Sequence, residues 1–474
     1  MSGVKFGTSG LRGLVAELTN SLCRRYMRAF LHYMEQTQGL KRGDAVLIGR
    51  DLRASSPRIA AAVAQEIKAQ GFTPLNCGEI PTPALAYAAI SRRAPAVMIT
   101  GSHIPDDRNG LKFYRPDGEI DKQDEAALLK LAAADNENPA DNKMVDETAI
   151  LLEESHKPRA DYIKRAVEFL PRDALSGLHI GVYQHSTVQR DILTEIITAL
   201  GAQVTPLHRS EKFIPVDTEA LRGEDRRLAR EAAAKDHLDA IISADGDGDR
   251  PLLADEKGEF LHGDILGILT AYFLHADYVV TPVSSTTAVE KSGFFAHIDR
   301  CRIGSPFVLA AMEAAKEKGA KCIAGFEANG GFLLGSDING LKALPTRDAV
   351  LPILCVLALA KQKNLPVSAL PNLIPKRITK ADRLTNYPLE KAHALLTMVR
   401  DEKARQKLLE QFGAVTESDE TDGIRLTLAD GDIIHFRASG NAPELRCYAE
   451  ADSAERAEKL LEAGLNIARR FETA

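Results

Sequence analysis

The sequence predicts an α/β protein: three related α/β domains and a C-terminal α+β domain, grouped around a central cleft. Three observations carry this expectation. A strand, a helix, a second strand and a polar glycine-bearing loop recur three times. Beyond residue 370 the pattern changes to paired β segments and one amphipathic helix. At 474 residues the chain is long enough for several domains. Identity between the three units is low, so the repeat rests on pattern.

The first unit opens with FGTSGLRG (6–13). Its glycines, Thr8, Ser9 and Arg12 suit an anion-holding loop, and equally a plain turn. Cys23, Met27, Phe30 and Met34 recur at helical spacing over 20–36, with Asn20 placed as N-cap. A strand over 45–51 precedes a helix from Ser56 that starts Ser-Pro and ends at Gly71. The strand 96–100 empties into GSHIPDDRNGLKFY. Ser102 and His103 therefore sit at a strand mouth, where open α/β sheets place ligands. A serine there is a candidate nucleophile or phosphate carrier, although lone loop serines are more often turn formers. Asn109-Gly110 reads as a turn, Lys112 stands on a strand over 111–114, and Pro-Asp-Gly at 116–118 closes a hairpin.

In the second unit a strand (179–184) and a helix (191–200) lead to AIISADGDGDRP (240–251). An apolar strand runs into Asp245, Asp247 and Asp249, each separated by one glycine. Carboxylates this close repel unless a cation sits among them, and hard oxygen ligands on a tight loop suit Mg²⁺. A solvated acidic turn is the plain alternative. An EF-hand does not fit, because the later ligand positions of such a loop are not all there. Arg250 adds a positive charge beside the loop. In the third unit, a strand at 278–284 and a helix ending near Gly319 precede CIAG (322–325), which opens into FEANGG. The linkers 156–162, 254–260 and 370–376 give domains over 1–156, 157–257, 258–371 and 372–474. The last has β segments at 423–428 and 432–436, and a helix bearing Ala457, Leu460, Leu461, Leu465 and Ala468. Between them Arg437, Ser439, Gly440 and Asn441 make a donor-rich turn that matches a phosphate dianion; a hairpin connection with an incidental Arg is the alternative.

Net charge of −6 gives no general attraction to nucleic acid or an anionic membrane. Six scattered cysteines without a CxxC pair read as reduced thiols. With no signal core and no long apolar run, the expected setting is the cytoplasm. The sequence does not separate monomer from dimer.

The ordered series FGTSGLRG, TGSHIP, DGDGDR, GFEANGG and RASGNAP, spread over nearly the whole chain, resembles the α-D-phosphohexomutase family, in particular its bacterial phosphomannomutase/phosphoglucomutase branch. The resemblance implies that Ser102 is the phosphorylated residue and that Asp245, Asp247 and Asp249 bind Mg²⁺ together with it. It implies that Glu327 and Asn329 grasp the sugar, and that Arg437, Ser439, Gly440 and Asn441 clamp the phosphate that is not transferred. Arg12, Arg50, Lys112 and Arg250 fall where the family keeps active-site cations. The sequence departs from the family at Gly101, Ile104, Asn441 and Ala442. It also has Gly331 where some relatives have a histidine.

The implied reaction moves a phosphoryl group between O1 and O6 of a hexose through a phosphoserine enzyme and a hexose 1,6-bisphosphate. Mannose phosphate is the expected substrate, with glucose and glucosamine phosphates as alternatives. Lys112 and His103 are candidates by type for proton transfer, and His103 reads equally well as a structural hydrogen-bonder beside the serine. Two other classes compete. A serine phosphohydrolase would release phosphate without forming an isomer. A non-catalytic sugar-phosphate binder would not turn over with added hexose 1,6-bisphosphate.

Overall fold

The computed structural model describes residues 3–7, 10–135, 155–439 and 443–471. Thr8, Ser9, Gly440 and Asn441 lie outside the described residues. Four sheets follow one another along the chain.

In each of the first three sheets, one fully buried apolar strand carries the polar loop. These strands are Ala96–Ile99, Ala240–Ala244 and Ile323–Phe326. Each has a parallel neighbour on one side: Ala45–Arg50, His179–Tyr183 and Tyr278–Pro282 respectively. Each has an antiparallel neighbour on the other: Arg108–Arg115, Pro251–Ala254 and Phe332–Leu334. The repeat read from pattern is thus a repeat of topology. Burial on both faces explains why these strands read as unbroken apolar runs. Their C-terminal ends lead to Ser102, Asp245 and Glu327.

One apolar cluster joins the three α/β units. It takes Leu85 from the helix Thr82–Arg92, Tyr162 from Lys157–Phe169, Ile196 from Arg190–Ala199 and Leu354 from Val350–Lys363. The last of these is a core helix, with residues 350–360 buried. No single described helix is long and apolar enough to cross a membrane. The fourth sheet, from Ile378–Thr385 through Glu444–Ala451, Ile433–Ala438 and Ile424–Leu428 to Val415–Asp419, is antiparallel throughout. It has a separate core, in which the helix Ala454–Arg470 buries Ala457, Leu460, Leu461, Leu465 and Ala468 as its spacing predicted.

Several local expectations need correction. Thr19, not Asn20, caps the helix Asn20–Gln38, its hydroxyl accepting from Leu22 N; Asn20 begins the helix and accepts from Arg58 Nη1 (2.6 Å). Asn109 and Gly110 form no turn but lie inside the strand Arg108–Arg115, where pairing with Leu11–Leu14 extends the ladder. The stretch after Tyr278–Pro282 is not one helix: a short helix Ala288–Lys291 and an edge strand His297–Cys301 precede Ser305–Glu317. All six cysteines are free.

Candidate active site

Ser102 is completely buried and sits at φ +53°, a left-handed conformation unusual for a residue with a Cβ. The turn is held from below. Thr100 Oγ1 accepts from Ser102 N (2.7 Å) and donates to Asp51 Oδ2 (2.8 Å). Arg53, 1% exposed, donates to the carbonyls of Ser102, Ile104, Pro105 and Arg108 at 2.6–3.0 Å and pairs with Asp51 (3.1 Å). Gly101 leaves room for Arg53 in this pose, because a Cβ would fall 2.6 Å from Arg53 Cζ.

The Ser102 hydroxyl crosses to the second unit and donates to Asp245 Oδ2 (2.6 Å). Asp245, Asp247 and Asp249 are buried, and one carboxylate oxygen from each lies within 4.8 Å of the other two. Asp245 Oδ1 accepts from Asp249 N and Arg250 N (3.1 and 3.2 Å). Lys112, 3% exposed, donates to Asp247 Oδ2 (2.6 Å) and Asp249 Oδ2 (2.9 Å). The other oxygens, Asp247 Oδ1 and Asp249 Oδ1, are buried without a hydrogen-bond partner. Orphaned anionic oxygens in a buried triad suit a hard divalent cation, so the residues present fit a metal ion.

Burial, then the charges of Asp247 and Asp249, pushes the Asp245 carboxyl well above its usual range. Burial opposes the charge of Lys112, but Asp247 and Asp249 outweigh it and hold the amine above the usual lysine value. His103 Nδ1 lies 3.2 Å from Ser102 Oγ. Burial, then Arg250 and Arg12, holds this imidazole well below the usual histidine range. The serine is therefore flanked by a neutral imidazole and the most basic of the three carboxylates. Arg250 Nε stands 3.8 Å from Asp249 Oδ1. Arg12 lies on the strand Leu11–Leu14 opposite Gly110. Arg50 pairs with Glu79 (3.7 Å).

Besides Arg53, two further buried contributors were absent from the sequence reading. Thr82, at the start of the helix Thr82–Arg92, donates to Asp247 through its amide (to the carbonyl, 2.9 Å) and hydroxyl (to Oδ2, 2.7 Å). This sets a helix N-terminus against the triad; the Pro-Thr-Pro at 81–83 was the available signal. Arg347 donates to Asp249 Oδ2 (2.7 Å) and Glu327 Oε2 (3.2 Å). Nothing near it in sequence marks it except a lone Arg before an apolar helix.

The third loop is a tight frame. Glu327 N donates to Gly331 O (3.1 Å), and Asn329 Oδ1 accepts from Gly331 N (2.9 Å). The Asn329 carbonyl accepts from Thr218 of the second unit (2.8 Å). The volume next to Gly331 is filled by the Arg347 stem. On the fourth unit Arg437 Nε lies 3.0 Å from Asp422 Oδ2, and that oxygen accepts from Ile303 N (3.0 Å). Two residues later Ser305 Oγ accepts from Arg347 Nη1 (3.4 Å); Arg437, expected in a turn, lies on the strand Ile433–Ala438 opposite Arg446, and this strand is tied to the segment that touches Arg347. Ser439 is buried, its amide donating to Glu444 O (2.9 Å). A cavity of about 300 Å³ between the fourth sheet and the other units is lined by Glu219, His262, Ala328, Arg425 and His435.

Family models described as phosphoglucomutase/phosphomannomutase alpha/beta/alpha domains I, II and III and C-terminal domain match residues 3–139, 160–258, 262–377 and 384–466. The chain belongs to this family. As a phosphosugar mutase, it is an isomerase. Its relatives include a phosphomannomutase of Sinorhizobium fredii, 45% identical over 98% of both chains. Another is a phosphomannomutase of Salmonella muenchen, 44% identical over 98% of this chain and 95% of that one. A phosphoglucosamine mutase of Sorangium cellulosum is more distant, 28% identical over 95% and 89%. The mutase also shares its fold with a phosphoglucomutase/phosphomannomutase family protein of Burkholderia thailandensis: TM-score 0.77, 20% identity, 98% of each chain covered.

Proposed function

We propose that the protein is a cytoplasmic phosphomannomutase that interconverts mannose 1-phosphate and mannose 6-phosphate, with Ser102 as phosphoryl carrier. The observation that carries this reading is the Ser102 Oγ–Asp245 contact at 2.6 Å beside two orphaned carboxylate oxygens. A nucleophile and a cation site share one carboxylate. The identity to curated phosphomannomutases supports mannose over glucosamine.

Asp245, Asp247 and Asp249 would hold Mg²⁺, which offsets the charge of the transferring phosphoryl group. The chain does the rest by positioning and electrostatics. The Asp51–Arg53–Thr100 network keeps Ser102 Oγ at the triad. Lys112, Arg250 and Arg12 supply positive charge. Phospho-Ser102 gives its phosphoryl group to the free hydroxyl of the hexose monophosphate: the Ser102 Oγ–P bond breaks as the new O–P bond forms, and the hydroxyl's proton passes to a nearby base and from it to Ser102 Oγ. His103, kept neutral and 3.2 Å from Ser102 Oγ, is the group we assign to that proton; Lys112 is held charged by two carboxylates. The hexose 1,6-bisphosphate turns end for end, and its other phosphoryl group returns to Ser102. Glu327 and Asn329 hold the ring, and Arg437, Ser439, Gly440 and Asn441 hold the idle phosphate. The fourth domain, with a core of its own, closes over the sugar and keeps water from the phosphoserine.

Turnover on mannose, glucose and glucosamine 1-phosphates, each with a trace of the matching 1,6-bisphosphate, tests the assignment. We expect the highest kcat/KM on mannose 1-phosphate and turnover abolished in Ser102→Ala. Phosphate release without isomer, or an active Ser102→Ala protein, would overturn it.

A further inference from the structure

The loop holding Glu327 and the loop holding Asp249 meet at a residue that belongs to neither. Arg347 lies on the strand Leu344–Asp348 and is 3% exposed. Its guanidinium donates from Nε and Nη2 to Asp249 Oδ2 (3.1 and 2.7 Å) and from Nη1 to Glu327 Oε2 (3.2 Å). A Cβ on Gly331 would fall 2.4 Å from Arg347 Cδ and 2.8 Å from Cγ. Residue 331 can therefore carry no side chain while Arg347 holds this pose. The same residue frames Glu327, because its carbonyl accepts from Glu327 N (3.1 Å).

We propose that Arg347, seated against Gly331, is a positioning residue that couples the metal loop to the sugar loop. The inference rests on the reading of Asp249 as a cation ligand and Glu327 as a sugar contact. Two buried carboxylates share one guanidinium, and a fork with several donors can serve both where a single ammonium cannot. Arg347 thus does two separable things. Its charge competes with a cation for Asp249, and its fork fixes the direction of Glu327.

The test uses full-length protein freed of metal. Mg²⁺ binding is measured by calorimetry without substrate, and KM for mannose 1-phosphate at saturating Mg²⁺. Arg347→Met keeps the stem and removes the charge. Loss of a like charge beside the site should tighten Mg²⁺ binding about tenfold. Loss of the hydrogen bond to Glu327 should raise KM about tenfold. Arg347→Lys should return Mg²⁺ affinity toward wild type while leaving KM raised. Gly331→Ala, which displaces the stem while keeping the Arg, should raise KM likewise, and the double variant should be no worse than either alone. Opposite movement of the two constants supports the proposal. Both constants unchanged in Arg347→Met, or both worsening together with a fall in Tm, overturns it. No Mg²⁺ binding by the wild type would instead overturn the cation reading beneath it.

Discussion

Lys112→Met is the substitution whose consequence the site dictates most directly. The lysine is 3% exposed and touches Asp247 and Asp249 at 2.6 and 2.9 Å. Methionine preserves most of the stem, so the change removes charge with little loss of packing. Breaking a buried ion pair by deleting one partner costs about 3–5 kcal/mol, because the other charge stays buried. Asp247 can take up a proton in response, which places the expected loss near the lower end, at about 3 kcal/mol. The assay is equilibrium urea denaturation in EDTA and again in saturating Mg²⁺. In EDTA the variant should be less stable by that amount. A ligand bound only by the native state at 100 times its Kd adds about 2.7 kcal/mol, so Mg²⁺ should recover most of the deficit. It should also stabilise the variant more than the wild type, since it replaces the missing positive charge. Equal stability of the two proteins in EDTA would refute the reasoning, and so would a variant that Mg²⁺ stabilises less than the wild type.

Other consequences follow from the same contacts. Arg53→Lys keeps a charge for Asp51 but cannot serve four carbonyls; kcat should fall about a hundredfold as Ser102 loses its place, with KM changing less, and stopped assays of both constants check it. His185 and His435 are buried, and burial lowers each to about 4. Each is neutral in the fold but charged in the unfolded chain below about 6.5, so stability is lost as pH falls from 6.5 toward 4. At about 1.4 kcal/mol per pH unit this is roughly 3 kcal/mol per histidine, and His185→Gln should flatten a urea-midpoint profile over that range. Burial and the charges of Asp247 and Asp249 raise the Asp245 carboxyl. Mg²⁺ binding should therefore weaken as pH falls, and calorimetry across a pH series should detect it.

The parts of this architecture written in contiguous residues were legible. Ala96–Ile99, Ala240–Ala244 and Ile323–Phe326 are buried on both faces and read as apolar runs. The spacing of three aspartates in five residues marked the triad without reference to the rest of the chain. Several misses share a physical cause: the deciding partner is far away in sequence. Asn109-Gly110 has the composition of a turn, but pairing with residues 13 and 12 makes it strand. The strand His297–Cys301 sits at a sheet edge and alternates poorly, with a His, an Asp and an Arg in five residues. Thr82 and Arg347 reach Asp247 and Asp249 across 165 and 98 residues, a distance no local pattern encodes. Arg53 could have been found. An Asp-x-Arg directly after a strand is an unusual place for a charge pair, and burial makes it a brace.

Whether phosphate passes through one serine is best tested by mass spectrometry of the protease digest. The protein is first charged with mannose 1,6-bisphosphate and then chased with excess mannose 1-phosphate. The peptide containing Ser102 should gain one phosphoryl mass on charging and lose it during the chase as bisphosphate appears in solution. Full isomerase turnover with that peptide unmodified throughout, or with the phosphoryl group on another residue, would contradict it.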